Sequence, residues 1–409
     1  MFSRSAGTAL PKNGNDLTLV RQRPGVDISL TGFIYFGIML FMGVAATQNR
    51  ANLLFGIFGL MIGTLVVSGV ISRLVVRGLN VRRILPEHGV VGATLHATYQ
   101  ITNCKRYWPS LSVTLAELDG VEGFATQPQC YLLHAAAGMT ASVPADFHPK
   151  RRGLHELNRY QFGTGFPFGF VKRAIIRGHP DRILIYPALG AVDERLLAMC
   201  RAAELTGSTV RPQAGGSDEF YGVKEFRSGE NPRLIYWRRS ARTGTLVSRE
   251  MTRVAPPQLL LLVDSCQEQA SLASAEMVER TIAMAASLAS VALAEGLSVG
   301  LVAWSGHWLA LPPARGKQQR TELLTALARL PLNKKKQLPE LLDQSPALIR
   351  TGVTPILFTP REVQLGLIEE VRGEMLVISA STPLAGAWFR FHENVNFKTC
   401  MPTPFEIAP

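Results

Sequence analysis

Signatures of catalysis are what the chain most clearly lacks. None of GxxxxGK[ST], HExxH or GxSxG occurs in its 409 residues, so a phosphate-cradling loop, zinc proteolysis and α/β-hydrolase chemistry have no sequence support. Cysteine is scarce: Cys104, Cys130, Cys200, Cys266 and Cys400 are odd in number and show no CxxC spacing. That excludes a disulfide framework or a zinc site and points to a reducing compartment. The histidines are spread without metal-ligand spacing. Charge is sparse as well, at 18% of residues, while 47% are hydrophobic and mean hydropathy is +0.13, which argues against disorder and for a lipid-embedded portion. Acidic residues are outnumbered 31 to 43, for a net charge of +12, so an anionic surface or polyanion is a candidate partner.

Charge is missing altogether from residues 28–49 and 51–72, with only Arg50 between them. Each stretch spans about 33 Å as a helix, close to the thickness of a bilayer's hydrocarbon core. The pause at Thr47–Asn52 allows only a tight turn, so residues 28–72 are expected to form an antiparallel transmembrane hairpin. Arg4, Lys12, Arg21 and Arg23 outweigh Asp16 and Asp27 before it, and Arg73, Arg77, Arg82 and Arg83 follow it without an acid. The positive-inside rule then places residues 1–27 and the body in the cytoplasm, on a multi-pass inner (cytoplasmic) membrane protein. Gly59 and Gly63 form a GxxxG that suits close helix approach. A signal peptide is the competing reading of the first span, disfavoured by its length and by the second span that follows at once.

Beyond the hairpin the pattern turns to short alternating segments. Val91–Thr102, Ser110–Leu118, Tyr131–Leu133, Thr140–Phe147, Gly153–Phe162, Val171–Ile176 and Ile183–Tyr186 read as strands of a β-sandwich over residues 84–190. From residue 254 to 409 strands and helices alternate, as in a doubly wound α/β domain. Leu259–Val263, Leu297–Trp304, Thr354–Phe358 and Glu374–Ser379 are its expected strands. Ser271–Glu295, Lys317–Leu330, Pro339–Leu348 and Arg361–Val371 are its expected helices, the first with Glu276, Glu279 and Arg280 off its apolar stripe.

Residues 215–253 lie between the two and interleave cations with aromatics. The run Glu219-Phe-Tyr-Gly-Val-Lys-Glu-Phe-Arg-Ser-Gly-Glu230, then Arg233-Leu-Ile-Tyr-Trp237 and Ser240-Ala-Arg242, resembles the signature of the bacterial family called domain of unknown function 58. Arg151-Arg-Gly153, Phe166-Pro-Phe-Gly169 and Tyr186-Pro187 are similar to the family's sandwich region. Glu230 stands where the family usually has Asp, and Tyr236 where His or Asp is common. The resemblance implies two amino-terminal spans, a von Willebrand factor type A-like α/β domain, and partnership with a MoxR-type AAA+ ATPase and a membrane transglutaminase-like protein. On it, Glu219, Phe220, Arg227, Gly229, Glu230, Arg233, Trp237, Ser240 and Arg242 are the candidate interaction residues.

A type A domain holds Mg2+ through an Asp-x-Ser-x-Ser loop, since a hard cation wants oxygen ligands. Here the loop reads Asp264-Ser-Cys-Gln-Glu268, with Cys266 and Glu268 in place of the serines, and the later strand ends Thr359-Pro-Arg361 with no Asp. The site is degenerate. Asp264 is expected to be a structural carboxylate accepting nearby backbone N–H groups, and no metal or cofactor is expected. Cys266 has no histidine near it in sequence and reads as a small buried hydrophobe. For the signature segment, Arg and Trp anchors packed against acids are weighed against an exposed protein-binding face, with the packed reading favoured through Trp237 on a strand-like run. The expected function is a membrane-anchored, non-enzymatic adaptor. The alternatives are a metal-dependent adhesion module or enzyme using the Asp264 loop, and a nucleic-acid-binding protein using residues 224–253, although no nucleic acid is expected.

Overall fold

The computed structural model describes residues 25–49, 52–206, 213–227, 231–253, 258–267, 271–332, 341, 353–361 and 375–399. Two apolar helices, α1 (Leu30–Asn49) and α2 (Asn52–Val76), are each long and apolar enough to cross a membrane and run back to back. The tight approach between them is at Gly43, where a Cβ would meet the Phe58 ring at 2.9 Å, whereas Gly59 and Gly63 face open space. The hairpin is shifted from its expected 28–72 limits. Gly25–Ile28 forms a strand, β1, and α2 runs one turn past Ser72 because Val75 and Val76 are buried against the body.

The first body region contains β2 (Leu79–Ile84), β3 (His88–Val90), β4 (Leu95–Asn103), β5 (Ser110–Glu117), β6 (Gln129–Ala135), β7 (Thr140–Phe147), β8 (Gly153–Thr164) and β9 (Val171–Tyr186). They form one sheet of order β1-β9-β8-β5-β6, with β3 also on β9, and a second of order β2-β4-β7. Alternating residues of both sheets, among them Tyr99, Ile101, Leu115, Phe147 and Phe162, fill one core between them, which is the arrangement of a sandwich. Residues 171–176 and 183–186, expected as two strands, are parts of one. Pro180 lies in the register shift between Leu157 and Arg159 of β8, where the ladder tolerates a missing N–H.

Arg83 corrects a second expectation. Read from the sequence as a flanking charge of the membrane hairpin, it lies inside the sandwich. Its Nε and Nη2 donate to the two carboxylate oxygens of Glu117 at 2.8 Å each, and Nη1 reaches Asp181 at 2.8 Å. Tyr99 donates to the same Glu117 at 2.6 Å. A buried guanidinium needs such a bidentate partner, because desolvation of an unpaired charge is prohibitive.

The second region begins earlier than residue 254. β10 (Ala191–Val192) and α3 (Glu194–Thr206) come first; then β11 (Gln213–Glu225), α4 (Trp237–Thr243) and β12 (Val247–Arg253) make up the signature segment. The α/β domain proper holds β13 (Gln258–Val263), α5 (Leu272–Ala294), β14 (Ser298–Trp304), β15 (Trp308–Ala314), α6 (Gly316–Arg329), β16 (Val353–Thr359), β17 (Leu376–Ser379), α7 (Pro383–Trp388) and β18 (Phe389–Arg390). Leu196, Leu197 and Cys200 of α3 belong to the same core as β13 and α5, so α3 is part of this domain. The sheet order is β15-β14-β13-β16-β17, with all pairs parallel except the β14–β15 edge. Succession thus reverses between β13 and β16, as it does in doubly wound sheets. β13 is apolar throughout because one side packs on α5 and the other on Leu341, Val302 and Leu357. Strand β15 falls outside the sequence reading, and the expected helices at 339–348 and 361–371 lie outside the described residues except Leu341 and Arg361.

α5 is also apolar enough to cross a membrane, yet 78% of that stretch is buried within the protein. It lies between the sheet and the sandwich, which also draws Ala283 of α5 into its core. Glu279, expected on the solvated face, is buried there.

Candidate functional site

Two places could carry function: the carboxyl ends of β13 and β16, and the signature segment. At the first, the strand order reverses, which is the position at which doubly wound sheets bind ligands. Asp264 follows β13 and is 4% exposed. Its Oδ1 accepts the Cys266 N–H at 3.0 Å, as expected of a carboxylate that caps its own loop. Its Oδ2 accepts the Thr359 hydroxyl at 3.1 Å and Arg361 Nε and Nη2 at 3.2 and 3.1 Å. The Arg361 carbonyl in turn accepts the Ser379 hydroxyl at 2.7 Å, tying the tip of β16 to the end of β17.

A guanidinium therefore sits on the carboxylate that a cation would need. Burial pushes the Asp264 carboxyl up, while the Arg361 charge and the three kinds of hydrogen bond oppose that shift. Cys266 and Ser265 are buried beside it. Glu268 lies outside the described residues. Among the described residues, no group of three or more His, Cys, Asp and Glu side chains is placed to hold one metal ion. Arg361 is the residue sequence reasoning missed; the signal was its place at the tip of a strand expected beside β13, where an acid had been sought.

In the signature segment β11 and β12 form an antiparallel ribbon pairing Val223 with Arg249 and Glu225 with Val247. Between them, Asn231 accepts the Arg233 N–H at 3.1 Å and opens a single turn over Pro232–Leu234, where the fixed φ of proline suits the first position. Ile235 then bridges to Ser248, and α4 follows. Trp237 thus opens a short helix instead of lying on a strand.

Ser240 holds this loop together. Its hydroxyl accepts the Val247 N–H at 2.9 Å and donates to the Tyr236 carbonyl at 3.1 Å, and its own carbonyl accepts the Gly244 N–H at 3.0 Å. Gly244 has φ of 72°, the left-handed conformation that ends a helix without a Cβ penalty. Arg249 lies over the Tyr236 ring at 4.6 Å.

Four further signature side chains lie at the surface. Trp237 is 65% exposed, and Arg227, Arg233 and Arg242 are exposed with no ion pair among the described residues. The expectation that Trp237 is a packed anchor is therefore corrected; among the described side chains of the segment the buried ones are Ile235, Ser240, Val247 and Ser248, and none of these four joins a core cluster. Of Glu219 and Phe220 the structure gives the strand register alone, opposite Thr252 and Met251. Gly229 and Glu230 lie outside the described residues.

The structure brings Arg233, Trp237 and Arg242 together on one small unit. No curated protein matches the chain. Residues 222–357, from the ribbon through β16, match the model of the family described as Protein of unknown function DUF58.

Proposed function

We propose that this protein is a non-enzymatic adaptor, anchored in the cytoplasmic membrane by α1 and α2 with its body in the cytoplasm. Its α/β domain acts as a von Willebrand factor type A-like interaction module, a reading supported by the strand order with its antiparallel edge. The partners are a MoxR-type AAA+ ATPase and, beside it, a membrane transglutaminase-like protein. The observation that carries the reading is the α4 unit: an exposed Trp237 with exposed arginines on a loop that is internally braced and packed into neither core. Exposed Trp and Arg are the usual anchors of protein interfaces. The engagement of Asp264 by Arg361 weighs against the metal-dependent alternative.

Two measurements test it. A cytoplasm-active reporter fused after Pro409 should work and an export-active one should stay silent; the reverse overturns the orientation. Affinity capture of the full chain from native membranes should retain the ATPase, and Trp237→Ala should lose it. The same side chains suit single-stranded nucleic acid. Oligonucleotide binding that weakens steeply with salt, in the absence of ATPase capture, would replace the adaptor reading.

A further inference from the structure

Three loops of the sandwich gather at the end that meets the two apolar helices. Residues 104–109 join β4 to β5, residues 136–139 join β6 to β7, and residues 165–170 join β8 to β9. Asn103 Nδ2 donates to the carbonyls of Trp108 and Ala135 at 3.0 Å each, and the Gly138 N–H donates to the Asn103 carbonyl at 2.9 Å. Thr164 Oγ1 donates to the Ser112 carbonyl at 2.9 Å, bringing the third loop to the same end.

Two of these loops hold the helix ends directly. Lys105 Nζ donates to the carbonyls of Leu74 and Val75 at 2.9 and 2.8 Å, satisfying acceptors that the last turn of α2 leaves open. The Ser29 N–H donates to the Phe170 carbonyl at 3.1 Å, and the Tyr35 ring stacks on Phe170 at 4.2 Å between centroids. A Cβ at Gly32 would lie 2.3 Å from the Phe170 carbonyl oxygen, so the loop and α1 touch backbone to backbone.

What these loops then turn outward is unusual for a soluble surface. Tyr107, Trp108, Met139 and Phe168 are all exposed. Arg73, Arg77, Arg106 and Lys172 are exposed around them, with Arg106 lying over the Tyr107 ring at 5.1 Å. Residues 104–112, 136–142 and 164–173 contain no acid, and Asp27 lies opposite Lys172 in the β1–β9 register.

We propose that this end of the sandwich is a lipid-binding rim, seated in the headgroup layer of an anionic bilayer beside the two helices. The inference rests on the reading that α1 and α2 cross that bilayer. Amphipathic Trp and Tyr rings favour the membrane interface, exposed apolar side chains ringed by polar ones mark interaction surfaces, and basic side chains at that depth are drawn to anionic lipid. The occupant follows from continuity: the loops that carry the rings are the ones bonded to the helix ends, so whatever surrounds the helices reaches the rim. The rim fixes the tilt of the body against the membrane and hence the face on which α4 is presented.

The test uses the full chain with Cys104→Ser and Cys400→Ser; Cys130, Cys200 and Cys266 are buried. It is reconstituted in phosphatidylglycerol-containing vesicles with an environment-sensitive fluorophore on one introduced cysteine: Trp108→Cys, Phe168→Cys, Leu40→Cys in α1, or Glu322→Cys on α6. Nitroxide lipids labelled near the headgroup should quench at 108 and 168, those labelled deep in the acyl chain should quench at 40, and neither should quench at 322. Replacing phosphatidylglycerol by phosphatidylcholine, or adding Arg106→Glu with Lys172→Glu, should abolish quenching at 108 and 168 and leave it at 40. Deep quenching at 40 with none at 108 and 168 overturns the rim and keeps the anchor, as does rim quenching indifferent to lipid charge. Absence of quenching at 40 overturns the anchor and the rim with it.

Discussion

Arg152 of the sandwich and Glu279 of α5 form an ion pair buried between the two domains. Arg152 is 2% exposed, pairs with Glu279 through Nη1, and donates from Nη2 to the Leu330 carbonyl at 2.5 Å, just past the end of α6. One guanidinium thus links the residue before β8 to α5 and to the residue that follows α6. Packing alone would leave the domains free to slide along an apolar seam; a directional, desolvated pair fixes their register.

Removing one partner should be costly. Arg152→Ala or Glu279→Ala removes the opposite charge from the buried partner, and is expected to destabilise by about 3–5 kcal/mol, whereas the double change to Met at both positions should restore most of the loss. Denaturant unfolding of the detergent-solubilised chain checks this. Single variants that unfold like the wild type would show that water reaches the pair.

At Asp264, calorimetry with millimolar Mg2+ should give no binding heat for the chain or for Asp264→Ala. The variant removes the carboxylate that accepts from Arg361, the Thr359 hydroxyl and the Cys266 N–H. A stability loss on the order of 3 kcal/mol follows. A Mg2+ site lost in the variant would restore the metal-dependent reading.

Much of this architecture is legible in the sequence because it rests on period and charge. Two uncharged runs give the hairpin, alternation gives β4, β5 and β7, and the apolar run Leu259–Val263 gives β13. What escapes is set by tertiary contact. Glu279 reads as a solvated position until Arg152 arrives from a residue far away in the chain. Arg83 reads as a membrane-flanking charge until Glu117 encloses it. Pro180 reads as a strand end because a bulge cannot be seen in one strand alone. In the signature segment the residue types point to an interface, while the roles of Ser240 and Trp237 depend on a helix of two turns that has no hydrophobic period to announce it.

His155 provides a pH signature for the sandwich. Its ring is buried, packs so closely on Gly123 that a Cβ there would lie 2.3 Å away, and donates from Nε2 to the Arg151 carbonyl at 3.0 Å. Burial pulls its pKa below the usual histidine value of 6.5. The unfolded chain therefore binds the proton more readily, so the contribution is complete above pH 6.5 and is lost as pH falls from there through the folded-state pKa. Chemical denaturation at stepped pH should show that decline, and His155→Gln should flatten it. A decline unchanged in the variant would assign the effect to another group.

Ser240 and Trp237 should separate bracing from binding. Ser240→Ala removes the acceptor of the buried Val247 N–H and the donor to the Tyr236 carbonyl, at a cost of about 1–3 kcal/mol for an unsatisfied group. Because the α4 unit joins neither core, that cost should fall on the unit itself. Amide exchange should quicken at 236–248 and stay unchanged in β13 and α5, which is the pattern of local opening. Trp237→Ala removes a side chain that is mostly in solvent, so its effect on global unfolding should stay within about 0.5 kcal/mol, while capture of the AAA+ ATPase proposed as partner is expected to be lost. Ser240→Ala should weaken capture as well, by disordering the helix that presents Trp237. Capture that survives Trp237→Ala would remove α4 from the interface, and a large melting shift in that variant would return Trp237 to a packing role.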